Sequence, residues 1–150
     1  MRLMEVLSMR RENVDFERRR IFIPAAKGGA REQPITEHLA VFLAEHIAAL
    51  PEGVPWLFPS ERAARGHTVY IRKAYQRAVK AAGLDPKAIV PHTLRHTAIS
   101  HLVQLGVDLP TVKRISGHKT LAMVERYAHQ NGTHIQAAMD KLQDRLKLAS

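Results

Sequence analysis

The sequence predicts an α+β domain, mainly α: a set of helices with a small three-stranded antiparallel sheet at one edge. Two patterns point there. From Asn13 to Thr36 apolar residues come in short runs broken by a Gly-Gly pair, the rhythm of strands and a hairpin. After Thr36 they return every three or four positions, and most stretches stop at Pro or Gly. Size supplies the third observation: 150 residues, 45% of them hydrophobic, suffice for one domain with a buried core, with no internal repeat or low-complexity linker.

Taken in order, the first segment, Arg2 to Met9, places Leu3, Val6, Leu7 and Met9 near one face at helical spacing. No cap precedes it, so Met1 is expected to open a fragment of a longer protein. Val14-Asp15-Phe16, Arg20 to Pro24 and Arg31 to Ile35 read as short strands, the last two joined through Lys27-Gly28-Gly29 into a hairpin. Thr36 caps a helix whose apolar face carries Leu39, Phe42, Leu43, His46, Ile47 and Leu50 and which Pro51 and Gly53 close. Trp56-Leu57-Phe58-Pro59 is an apolar stretch bounded by prolines. A basic loop leads from it to a helix from about His67 to Ala82, stopped by Gly83. Four helical pieces complete the chain, at about Thr93 to Leu105, Asp108 to Ile115, Thr120 to Ala128 and Thr133 to Leu148. The second has Asp108 as its cap and Pro110 in its first turn.

Composition narrows the function. The net charge of +9 calls for a polyanionic partner, most simply nucleic acid. With no cysteine there is neither a disulfide framework nor a thiol nucleophile, and no apolar run approaches the roughly 18–20 residues that span a bilayer. A cytoplasmic protein with no membrane partner is expected. No phosphate-cradling glycine loop and no zincin motif is present, so neither a nucleotide nor any other cofactor is expected. The carboxylates are scattered, with no pair spaced to share a divalent ion. Chemistry on phosphates must then use the chain's own cations.

The informative stretch is Pro91-His92-Thr93-Leu94-Arg95, followed by Ser116-Gly117-His118 and, nine residues on, Tyr127. With Arg2 and Glu5 at the start and Lys27 in the hairpin turn, it resembles the catalytic domain of the tyrosine recombinase, or phage integrase, family. That family's order of Arg, Lys, His-x-x-Arg, His and Tyr falls on Arg2, Lys27, His92 with Arg95, His118 and Tyr127. Leu57-Phe58-Pro59 and a helix after the tyrosine extend the likeness over nearly the whole chain. Ser116 departs from it, standing where the family more often has an apolar residue, and is expected to affect packing more than chemistry. The resemblance implies one catalytic domain over residues 1–150, lacking a separate N-terminal core-binding domain. It also implies site-specific cleavage and rejoining of double-stranded DNA through a 3′-phosphotyrosine.

Elementary chemistry is consistent with those roles. Attack on a phosphodiester builds charge on its nonbridging oxygens, which the planar forks of Arg2 and Arg95 can hold bidentately. His92 lies one helical turn before Arg95, placed to bond the same phosphate or move a proton. His118 offers a further donor, Tyr127 the nucleophile, and Lys27 the acid for the departing 5′ oxygen.

Structural readings stand beside these. Lys27 is otherwise an ordinary turn lysine, Tyr70 and Tyr75 are packing residues, and Glu5 orients Arg2. His92 and His96 have the spacing of a metal pair but no third ligand, so no metal is expected. Arg18 to Arg20, Arg62, Arg65, Arg72 and Lys73 are either solvated surface or contacts to DNA backbone. Ile135, Ala138, Met139, Leu142 and Leu146 stripe the last helix, and in the family such a tail docks on a neighbouring protomer, implying self-association on DNA. A non-catalytic helix-turn-helix over Asp108 to Ala128 is the alternative.

Overall fold

The computed structural model describes residues 1–26, 28–127 and 133–147, the last without the side chains of 133–135, 137, 138 and 146. Lys27 therefore lies outside the described residues. The chain divides within one helix into two compact units, Met1–His96 and Thr97–Ser150.

In the first unit, α1 (Leu3–Leu7) does possess a cap: Glu5 reaches back to accept the backbone N–H of Arg2 at 2.8 Å. The sheet has the order β1-β2-β3, from Val14–Asp15, Arg20–Ile23 and Arg31–Pro34, antiparallel throughout, with Ile21 opposite both Val14 and Gln33. β2 alternates, burying Ile21 and Ile23 and exposing Arg20 and Phe22, as a sheet covered on one face requires. Arg20 pairs with Glu32 on the outer face. The buried pair packs with Met9, Leu43 and Leu57 to form the core.

Helix α2 (Glu37–Ala48) begins as expected, with Thr36 Oγ1 accepting the Leu39 N–H at 3.3 Å. Its inward stripe, however, is Ala40, Leu43 and Ile47, while Leu39 and Phe42 face outward. The expected apolar face was one position too wide, because a single helix side buried against a small sheet takes only one row of residues. Phe42 instead stacks on His46, whose Nε2 lies 2.7 Å from the Leu57 carbonyl.

The expected helix from His67 starts only at Arg72: α3 is Arg72–Ala81. Tertiary contacts override the local pattern here. Thr68 donates its N–H to Phe58 O at 2.7 Å, holding the segment extended, and the buried His67 ring packs 4.5 Å from the Trp56 ring. Tyr70 is then exposed rather than packed. Helix α4 (Pro91–Gln104) carries the division between the units.

The second unit continues α4 into α5 (Leu109–Ser116), α6 (Ala122–Glu125) and α7 (Thr133–Lys147). Its core is Ile99, Val103, Val112, Val124 and Tyr127. Asp108 caps α5, accepting the Thr111 N–H at 2.9 Å, and Gly117 ends it in the left-handed conformation at φ 69°. Where a helix over Thr120 to Ala128 was expected, α6 has four residues, too short to serve as the recognition helix of the helix-turn-helix alternative.

Candidate active site

In the first unit the site is built around one carboxylate. Glu5, on α1, is nearly inaccessible and accepts from three donors: the Arg2 backbone N–H at 2.8 Å, Arg2 Nη1 at 2.9 Å and Arg31 Nη2 at 2.9 Å. Burial by itself would raise the Glu5 carboxyl. The hydrogen bonds from Arg2 and the charge of Arg31 outweigh it and hold the group below the ordinary carboxylate value. Two guanidiniums are thereby fixed by a single anion, which is the role expected of Glu5.

Arg95 belongs to the same surroundings. The Met1 amino group is pushed down to about 6 by burial and then by the positive charges of Arg95, Arg31 and Arg2, with Glu5 opposing. Arg95, Arg31 and Arg2 thus all act on the Met1 amino group. A cavity of about 300 Å³ adjoins Arg2 and Glu5, walled by Met9, Phe22, Ile23 and Pro24. His92 lies three residues before Arg95 on α4, its ring meeting His96 edge-on at 4.5 Å. Among the described residues no three metal-ligating side chains gather.

In the second unit His118 and Tyr127 come together. The glycine that ends α5 turns the chain so that His118 falls back against the core, and Tyr127, two residues after α6, is buried with it. Their ring centroids are 6.5 Å apart. Arg126 Nη2 donates to the Tyr127 hydroxyl at 3.0 Å, and its guanidinium carbon lies 5.0 Å from the centre of that ring. Buried Ser116 has its Oγ 2.8 Å from His118 Nδ1. The hydroxyl expected to matter for packing therefore touches a candidate catalytic ring.

Three residues were missed in the sequence. Arg31 stands at the start of a strand, 26 positions from its partner Glu5, and Arg126 is next to Tyr127 in the chain, but nothing in the sequence marks which way its side chain turns. Ser116 did carry one, as a polar residue at an expected apolar position.

The Phage integrase family model matches residues 1–134. The chain belongs to the phage integrase family. Among its integrase-family relatives, the tyrosine recombinase XerD of Caulobacter vibrioides is 38% identical over 99 residues, 63% of this chain and 32% of its own length. The tyrosine recombinase XerA of Pyrococcus horikoshii is 25% identical over 142 residues, covering 94% of this chain and 50% of its own. The chain thus spans half the length of these relatives or less. In structure, the Tn1549 transposon integrase solved with circular intermediate DNA superposes with a TM-score of 0.77 at 22% identity, over 95% of this chain and 56% of that one. The catalytic domain of bacteriophage HP1 integrase gives 0.64 at 25% identity, over 93% and 73%. The integrase-family α+β fold expected from the sequence is the one observed. No helix among the described residues is long and apolar enough to cross a membrane.

Proposed function

We propose that this chain is the catalytic domain of a tyrosine recombinase, acting in site-specific recombination or integration of double-stranded DNA. The observation that carries the reading is the setting of Tyr127: a ring anchored in a core, its hydroxyl met by a guanidinium at 3.0 Å, beside His118. A tyrosine that merely packs needs no cation at its oxygen, whereas a nucleophile that must become a phenolate-like oxygen does.

In this reading the Tyr127 oxygen attacks a backbone phosphorus, forming a 3′-phosphotyrosine as the P–O5′ bond breaks. Lys27 supplies the proton that makes the departing oxygen a 5′-hydroxyl. Arg2 and Arg95 hold the nonbridging oxygens, His118 donates to the phosphate, and His92 bonds it or moves a proton. Reversal with a second 5′-hydroxyl rejoins the strand, so the phosphoryl bond energy is kept and the reaction uses neither nucleotide nor metal. Membership of the family and the order of the six residues support these assignments. The Tn1549 relative was solved on DNA, which favours the same partner here.

Residues 1–150 act as one catalytic domain, with a separate DNA-clamping domain expected alongside, in the cytoplasm. Self-association on DNA through α7 completes the proposal; Met139 and Leu142 of its apolar stripe are half exposed, while Ile135, Ala138 and Leu146 lie outside the described side chains. Incubation with nicked DNA, which traps the covalent complex, tests the function. A DNA-shifted protein band that disappears in Tyr127→Phe, with an unchanged melting temperature, is the expected result. Adducts formed by the Phe variant rule out Tyr127 as the nucleophile.

A further inference from the structure

We infer that Ser116 is a positioning residue that sets the tautomer of His118, keeping the proton of the neutral ring on Nε2. Ser116 and His118 are both buried, so water does not compete for their hydrogen bonds. The Ser116 hydroxyl has one proton and two acceptors in reach: His118 Nδ1 at 2.8 Å and the Lys113 carbonyl at 3.2 Å. That carbonyl already accepts the N–H of Gly117 at 2.9 Å and of His118 at 3.2 Å, which engages both of its lone pairs. The proton therefore goes to Nδ1, the nearer acceptor and the one with a lone pair to offer. Were Nδ1 protonated instead, Ser116 would have to accept from it and turn its own hydrogen onto a saturated oxygen.

The consequence concerns the phosphate chemistry, and it rests on the recombinase reading. With Nδ1 engaged by Ser116, the neutral His118 ring carries N–H at Nε2 and can donate to a phosphate oxygen without first being charged. An apolar residue at this position leaves the tautomer to be fixed by other contacts.

Two measurements on this chain test it. In long-range nitrogen NMR with labelled histidine, the His118 signals, identified by their loss in His118→Gln, should show Nε2 protonated and Nδ1 as a hydrogen-bonded acceptor above the ring's titration. Ser116→Ala should move Nδ1 towards the shift of an unbonded acceptor, and Ser116→Thr should restore it. A protonated Nδ1 in the unmodified chain, or an unmoved Nδ1 in the Ala variant, overturns the inference. In adduct formation at saturating DNA, Ser116→Ala should be slower by about 10-fold at unchanged DNA affinity and melting temperature, the lower end of what a lost tautomer-fixing partner costs a metal-bound histidine. Ser116→Thr should recover most of that rate, and an Ala variant as fast as the unmodified chain removes the positioning role. A full-length protein, clamping domain included, with the expected ring signals but no adduct on any DNA overturns the recombinase reading and leaves the tautomer assignment standing.

Discussion

Glu5 shows how much one residue can hold. Its carboxylate, almost inaccessible, satisfies Arg2 twice and Arg31 once, so removing its charge leaves two guanidiniums with no anion between them. Glu5→Gln should lower unfolding free energy at neutral pH by about 3 kcal/mol, the scale for breaking a buried pair from one side. The pH dependence follows from the lowered carboxyl. Because the folded chain binds the Glu5 proton less readily than the unfolded one, the stabilisation is fully present above the ordinary carboxylate range and is lost as pH falls through the folded value below it. Denaturant titrations of the two proteins should therefore converge in acid; a constant gap means that the charge is not what Glu5 contributes. Arg95 is tested in rate. Arg95→Lys keeps the charge and loses the planar fork, so DNA affinity should hold while adduct formation slows by about 10²–10³-fold, as on removal of one preorganised donor. An unchanged rate places the scissile phosphate away from Arg95.

At the scale of elements, short pieces position the candidate groups of the second unit. Helix α5 is eight residues and α6 four, and between them Gly117 takes φ 69°, a region that costs an ordinary residue about 1–2 kcal/mol. Gly117→Ala should destabilise by about that amount, measured by denaturant unfolding, and should slow adduct formation because His118 is the next residue. Stability unchanged from the parent means that the turn relaxes into another conformation. Elsewhere, elements formed where local chemistry was decisive and failed to form where it was not. Asp108 and Pro110 start α5, and the Gly-Gly turn joins β2 to β3, because caps and turns act within a few residues. The helix expected from His67 gave way to an extended segment, because Phe58 O and the Trp56 ring, distant in sequence, hold Thr68 and His67.

For the whole molecule, the net charge of +9 is expected to dominate the proposed association with DNA. On that charge, binding should come mostly from phosphate contacts and fall by about 0.9 log unit per log unit of salt for each phosphate neutralised. Affinity for random duplex measured across a salt series checks this, and a flat response excludes electrostatic binding. Fold class, family and the six candidate residues were legible in the sequence, because periodicity, caps and the order of residue types are properties of neighbours along the chain. The structure decided what rests on distance or on side-chain direction: that Arg31, 26 residues away, shares Glu5 with Arg2, and that, between close neighbours in the chain, Arg126 turns to the Tyr127 oxygen and Ser116 to His118. None of these contacts is marked by spacing, since a hydrogen bond needs donor and acceptor within about 3 Å and aimed at each other, and that geometry exists only once the chain has folded.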